Sequence, residues 1–287
     1  MRSFGQRLGD VFASRGQLCL GVDPHAFLLD SWGLPDSATG VREFGLRCVD
    51  AAAGVVGIVK PQVAFFERFG SVGFAALEDV MSAARAAGLL VVADAKRGDV
   101  GSTVAAYGSA WLTPGAPLAA DAMTVSAYQG VGSLAAVVDL ATSAGKGLFI
   151  LAATSNPESI DAQTAIRDRG AWAGRTVAAG IVGEVNELTA SAHSHGSTRL
   201  GSIGVVIGAT VRASDYGIHS SDLRSTPILG PGFGEQGARV SDLVALYGDV
   251  AGNVVVNLGR SVLRTGPSGM REELRREASV LSETTAP

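Results

Sequence analysis

Short apolar runs punctuate the chain, and most of them end in Gly, Pro, Asp or Asn. Eight stand out: Leu18–Val22, Val55–Lys60, Leu89–Asp94, Ala122–Val125, Leu148–Ala152, Ile203–Ile207, Pro227–Leu229 and Val254–Asn257. They have the lengths of buried strands. Between them the period changes. In Phe74–Ala87 apolar residues recur at Phe74, Leu77, Val80, Met81 and Ala84, which predicts a helix with one buried face. Gly40–Ala53, Gly132–Ala144 and Val240–Tyr247 read the same way. Strand alternating with helix eight times predicts a closed (β/α)8 (TIM) barrel, an α/β fold in one domain. A doubly wound open sheet is the main competitor, but no Gly-x-Gly-x-x-Gly follows the first run.

The fifth and sixth runs are too far apart for a single intervening helix. The stretch from about 158 to 200 reads as an elaborated connection of two helices, the second near Val177–Leu188. His193 and His195 fall near its end. No Cys or carboxylate at ligand spacing completes a metal site with them, so an exposed loop is expected there. Ser279–Pro287 is expected to be a frayed tail.

Composition narrows the class. A chain of 287 residues that is 47% apolar can bury one large core. A formal net charge of −4 gives no electrostatic footprint for nucleic acid. No run approaches the roughly 18 uninterrupted apolar residues of a membrane span, and Met1–Arg7 lacks the apolar core of a signal peptide. Cys19 and Cys48, the two cysteines, form no Cys-x-x-Cys pair and read as reduced core thiols of a cytoplasmic protein.

Candidate chemistry gathers where strands end. Asp94-Ala95-Lys96-Arg97-Gly98-Asp99 follows the third run and leads through Val100-Gly101-Ser102-Thr103 into an Ala-rich helical stretch. Alternation along an extended segment puts Asp94 and Lys96 on one side, within reach of each other. Gly98 permits a sharp turn, which leaves the direction of Asp99 open. Helix capping by Asp99 or Ser102 is the plainer alternative. Asp23-Pro24 closes the first run, either as a carboxylate for a sugar hydroxyl or as an Asx-turn. Lys60 ends the second, where a lysine needs a partner, and the third-strand carboxylates are nearest. Thr154-Ser155-Asn156-Pro157 is a turn, or a set of hydroxyl and amide groups facing a ligand. Leu229–Gly237 is a glycine-rich loop able to cradle an anion, and Asn257-Leu258-Gly259-Arg260-Ser261 opens a helix. Loops after strands seven and eight, with a helix N-terminus, form the phosphate site of such barrels. Arg260 would add a bidentate contact.

Asp94-Ala-Lys-Arg-Gly-Asp-Val-Gly-Ser-Thr103, joined to Thr154-Ser-Asn-Pro157 and Gly230-Pro-Gly-Phe-Gly-Glu-Gln-Gly237, resembles the longer bacterial branch of the orotidine 5'-phosphate decarboxylases. The resemblance runs from Asp23 to Arg260. Its Asp-x-Lys-x-x-Asp core alone is shared with related phosphosugar barrels. The resemblance implies conversion of orotidine 5'-phosphate to UMP in de novo pyrimidine biosynthesis, with no metal, flavin or nicotinamide. Lys96 would stabilise and then protonate the C6 carbanion, with Lys60 and Asp94 beside it in the same subunit. Asp99 and Thr103 would reach into the site of a neighbouring subunit, which implies a homodimer. Asp23 would hold the ribose and Ser155 the pyrimidine. Gln236 and Arg260, in the loops that contain Gly234 and Gly259, would hold the phosphate.

Two other readings compete. A keto-sugar-phosphate decarboxylase or aldolase of the same superfamily would use magnesium and an extra carboxylate, whereas the second strand here ends in Lys60. A catalytically silent nucleotide-binding barrel would keep the phosphate loops while its charged strand ends decayed, yet Lys60, Asp94, Lys96 and Asp99 are all present. Ala127, Tyr128 and the 158–200 stretch have no role in this scheme.

Overall fold

All eight apolar runs become strands of one closed parallel barrel in the computed structural model, which describes residues 2–193 and 200–285. The strands are β1 (Leu18–Val22), β2 (Ile58–Pro61), β3 (Leu90–Arg97), β4 (Ala122–Val125), β5 (Gly147–Ala153), β6 (Ile203–Ile207), β7 (Ile228–Phe233) and β8 (Val254–Leu258). Neighbours pair in sequence order, and β8 closes on β1 with Leu18 opposite Val256. Helices Ala38–Ala52, Gly70–Ala86, Gly101–Leu112, Ala135–Ser143 and Val177–His193 follow successive strands as expected.

Four features differ from the sequence reading. β3 continues through Asp94 and Lys96 to Arg97, and β7 continues through its glycines to Phe233. Each extension rejoins a neighbouring strand after a register shift, Arg97 opposite Val125 and Phe233 opposite Leu258. The connection from β6 to β7 carries only two short 3-10 turns, Ala213–Tyr216 and Ser220–Leu223, in place of an α-helix. Its side of the barrel is covered by the long helix Val177–His193, which packs on both β5 and β6. As far as Thr285 the tail expected to fray is instead the end of helix Gly266–Thr285, and 286–287 lie outside the described residues. Met270, Leu274 and Leu281 share one helical face and are all buried, so packing continues the helix past Ser279. The 158–200 stretch does hold two helices, Ser159–Thr164 and Val177–His193, while His195 lies outside the described residues.

Strand alternation divides the core in two. Val91 and Ala93 pack outward against the helices, whereas Leu90 and Val92 point into the barrel with Cys19, Ile58, Ala122, Phe149 and Val255. The next inward positions toward the C-terminal ends are Gly21, Lys60, Asp94, Thr124 and Asn257. The polar residues therefore sit on top of an apolar plug.

The bottom of that plug is a helix not among those expected, Phe4–Arg15, whose Phe4, Leu8, Val11 and Phe12 recur at helical spacing. Ser3 caps it by accepting from Gln6 N, and the Gln6 side chain returns the bond to Ser3 N. Phe4 and Leu8 are fully buried among the interior strand residues. The Phe4 ring meets Phe149 edge-on at 6.0 Å. Gly147 leaves room for it, since a Cβ there would lie 2.2 Å from the ring. Arg7 pairs with Asp121, whose second oxygen accepts from Val91 N at 2.9 Å. Both cysteines are free and buried, as expected. Phe4→Ala should cost about 3–5 kcal/mol of stability by opening a cavity under the barrel. A urea titration reads this as a lower midpoint with an unchanged slope; an unchanged midpoint would show that the helix does not seal the floor.

Candidate active site

The barrel mouth is built around the carboxylate of Asp94. One oxygen, Oδ2, accepts from Lys60 Nζ at 2.9 Å and from Gln62 Nε2 at 3.0 Å. The other, Oδ1, accepts from Lys96 Nζ at 2.6 Å and Thr124 Oγ1 at 2.9 Å. Four donors saturate both oxygens, and two of the donors are cationic, which makes these the stronger kind of hydrogen bond. Lys60 and Asp94 are buried, while 46% of the Lys96 side chain is exposed to the cavity. Asp23 adds a second carboxylate 4.0 Å from Lys60 Nζ.

These contacts fix the protonation states of the buried pair. Burial alone would push the Asp94 carboxyl up, but the charges of Lys60 and Lys96 and their hydrogen bonds outweigh it. The carboxyl is held well below the usual carboxylate range. Burial pulls Lys60 down, and Asp94, joined by Asp23, more than reverses this, so its ammonium is held above the ordinary lysine range. Cys19 lies in the layer below, where burial pushes its thiol up to about 12. It is a packed apolar group there, with no reactive character.

Lys96 is the single non-glycine residue with positive φ (48°) among the described residues. An L-residue pays roughly 1–2 kcal/mol for the left-handed conformation. The conformation points its ammonium back onto Asp94, as alternation along β3 led us to expect, although the strand itself is distorted at that point.

Asp23, Lys60, Asp94, Lys96, Ser155, Gln236, Gly259 and Arg260 all line one cavity of about 610 Å³. That volume suits a ligand of nucleotide size. The loops after β7 and β8 meet on its rim. Gly234 has φ +80°, and a Cβ there would lie 2.2 Å from Ser261 Oγ, so only glycine allows the two loops to close together. Gly259 likewise brings backbone against Asp23, where a Cβ would lie 2.9 Å from Oδ2. Among the described residues Arg260 makes no ion pair, although it lines the cavity. Asp23 Oδ1 and Asn257 Oδ1 are buried acceptors with no protein donor. Such a mouth has a cation waiting for an anion and acceptors waiting for hydroxyl groups.

Three expected residues stand elsewhere. Gly234 shapes the β7 loop without lining the cavity, and its amide is occupied by Ala238 O at 2.7 Å. Asp99 and Thr103 lie off the cavity, on the turn and first helical turn after β3, with Asp99 accepting from Val100 N at 2.8 Å. Among the polar residues of the cavity, His25, Gln62, Thr124 and Asn257 were given no role from the sequence. Burial pulls the His25 imidazole below its usual value, Asp23 opposes this and Arg260 adds to it. Gln62, Thr124 and Asn257 did carry a signal, since each lies two residues beyond an inward-facing strand position.

Comparison with known proteins decides the family. Residues 16–275 match the family described as orotidine 5'-phosphate decarboxylase / HUMPS. The chain belongs to this family. It is 48% identical, over 93% of its length, to an orotidine 5'-phosphate decarboxylase of Corynebacterium efficiens, 91% of which is covered. Identity to a Streptomyces coelicolor orotidine 5'-phosphate decarboxylase is also 48%, over 93% of this chain and 92% of that one. A crystal structure from Streptomyces avermitilis assigned to the same decarboxylase matches all of this chain and 97% of its own, with a TM-score of 0.92 and 45% identity. The orotidine 5'-phosphate decarboxylase of Leishmania donovani matches with a TM-score of 0.73 at 27% identity, covering 99% and 100% of the two chains. The family expected from the strand-end motifs and the barrel expected from the strand–helix alternation are both borne out.

Linkage gives the pH signature of this family member's buried pair. Asp94 releases its proton more readily folded than unfolded. Its contribution is therefore full above the unfolded carboxylate pKa of about 3.9 and is lost as pH falls toward the folded value. For Lys60 the sign reverses: its contribution is full below the unfolded pKa of about 10.4 and is lost as pH rises through the folded value. Asp94→Asn leaves Lys60 buried without its anion and should cost about 3–5 kcal/mol at neutral pH. It should also flatten the acid limb of the stability curve. Denaturant titrations across the acid range check this, and a variant that keeps the parent's acid slope would contradict the assignment.

Proposed function

We propose that the chain decarboxylates orotidine 5'-phosphate to UMP in pyrimidine biosynthesis, with Lys96 stabilising and protonating the carbanion. The observation that carries this reading is the Lys96 ammonium, held 2.6 Å from Asp94 and facing the same cavity as the unpaired Arg260. Breaking the bond from C6 to the carboxylate carbon leaves the electron pair on C6, in the plane of the ring, and releases CO2. No π-system delocalises that pair, so a cation fixed beside C6 supplies the stabilisation. A proton then passes from Lys96 Nζ to C6, and the amine recovers one from water. Because the cation is already oriented by Asp94, little reorganisation is needed as charge develops. The apolar side chains of Leu151, Val206 and Leu229 on the cavity wall are poor solvent for a carboxylate and good solvent for CO2.

The rest of the site binds. Asp23 and the buried acceptor of Asn257 suit the ribose hydroxyls, and Ser155 suits the pyrimidine. Arg260 and Gln236 suit the phosphate. Contacts made far from C6 let binding energy serve the chemical step. Among the described residues no helix is long and apolar enough to cross a membrane, and the reading is of a cytoplasmic enzyme.

The same reading makes the enzyme a homodimer with shared sites. Asp99 and Thr103 lie off their own cavity, and large exposed side chains stand on the same and an adjoining segment. Val100 is 53% exposed, Tyr107 37% and Tyr128 93%. The Tyr128 loop joins this patch because Gly98 packs against Ser126 and Ser126 N donates to Arg97 O at 2.8 Å. A second copy seated here would cover the patch and present Asp99 and Thr103 to its partner's cavity.

The activity test is the absorbance of orotidine 5'-phosphate with purified protein and EDTA. Loss of the orotate band with UMP appearing is expected. Activity that disappears on chelation and returns with magnesium would favour the sugar-phosphate reading, and UMP binding without turnover would favour the silent barrel. Subunit sharing has its own test. Inactive Asp99→Ala mixed with inactive Lys96→Ala should regain partial activity through hybrid dimers; no recovery after demonstrated subunit exchange would mean that Asp99 serves its own chain.

A further inference from the structure

The strained residue at the reacting centre has one hydroxyl beneath it. We propose that Thr124 is a positioning residue that holds Lys96 in its working conformation, an inference that rests on the decarboxylase reading. Thr124 lies in β4, is 1% exposed and lines the cavity wall. Its Oγ1 accepts from Lys96 N at 2.9 Å and donates to Asp94 Oδ1 at 2.9 Å. The direction of both bonds is unambiguous, because a backbone N–H only donates and an ionised carboxylate only accepts. Lys96 Nζ reaches the same Asp94 oxygen at 2.6 Å. One hydroxyl thus closes a ring that joins the backbone and the ammonium of Lys96 through a single carboxylate oxygen.

Strand register explains why a side chain is needed there. Ala93 lies opposite Met123 and Arg97 opposite Val125, so four steps along β3 match two along β4. Three residues, Asp94 to Lys96, thus stand against one, Thr124, and bulge out of the ladder. A bulge leaves backbone groups without ladder partners. The Thr124 hydroxyl takes the N–H of Lys96, the residue whose φ of 48° the bulge requires. Without that bond Lys96 has an unpaired amide, and its ion pair with Asp94 is left to hold the left-handed backbone alone. Relaxing φ would swing its side chain away from the reacting carbon.

The test compares Thr124→Val, which keeps the shape and removes the hydroxyl, with Thr124→Ser, which keeps the hydroxyl. In Thr124→Val, kcat on orotidine 5'-phosphate should fall about 100-fold while the Kd for UMP stays near the parent's. Thr124→Ser should recover most of the loss. A crystal structure of folded Thr124→Val should show Lys96 out of the left-handed region. Parent-like kcat in Thr124→Val, equal loss in Thr124→Ser, or Lys96 unmoved in the Val variant would each overturn the proposal. A parent enzyme inactive on this substrate would count against the decarboxylase reading instead, and the conformation of Lys96 in Thr124→Val would still decide the role of Thr124.

Discussion

A buried ammonium must have an anion, and at this barrel mouth that requirement organises everything else. Lys60 rises from an apolar strand into the interior, and Asp94 is the carboxylate that answers it at 2.9 Å. Removing one ion of such a pair leaves the other buried and uncompensated, which is far costlier than never having built the pair. Asp94 therefore cannot move, rotate or take up a proton without cost. Gln62 and Thr124 fill its remaining acceptor positions. Lys96 inherits that rigidity: its ammonium is attached to a group with no freedom of its own.

The fold supplies the place for this network through simple geometry. Parallel strands present inward side chains in layers, so the residues two steps beyond the apolar plug form a polar layer at the C-terminal ends. The plug is finished below by Phe4 and Leu8, which keep water out of the barrel and leave the mouth as its wet end. Above, the β7 and β8 loops touch through Gly234 and Ser261 and set Arg260 on the rim. The buried charges, the strained lysine and Arg260 thus share one cavity although they come from β2, β3 and the segment after β8.

Much of this was legible in the sequence, for identifiable reasons. Each strand declared itself by an apolar run, and parallel pairing demands such runs because both faces are buried. The Asp94–Lys96 contact followed from alternation, and the partner of Lys60 from the cost of burying a lone charge. Other features depended on tertiary context. The N-terminal helix did carry a signal, since Phe4, Leu8, Val11 and Phe12 recur at helical spacing, but that Phe4 enters the barrel is a tertiary fact that periodicity cannot reveal. The bulge at 94–96 is visible only when β3 is laid against β4. Ser279 to Thr285 is polar enough to suggest fraying, and the burial of Leu281 alone on the face of Met270 and Leu274 keeps it helical. Asp99 points to a different limit: it lies off its own cavity on the turn after β3, and the direction of a residue after a glycine turn is not set by spacing along the chain.

The central claim is that the ammonium of Lys96, fixed by Asp94, performs the chemistry, while the rest of the cavity binds. Lys96→Ala tests it most directly, through single turnover of orotidine 5'-phosphate measured beside the Kd for UMP. The account predicts loss of turnover by many orders of magnitude with UMP still bound by Asp23, Gln236 and Arg260. Turnover near the parent rate would contradict it.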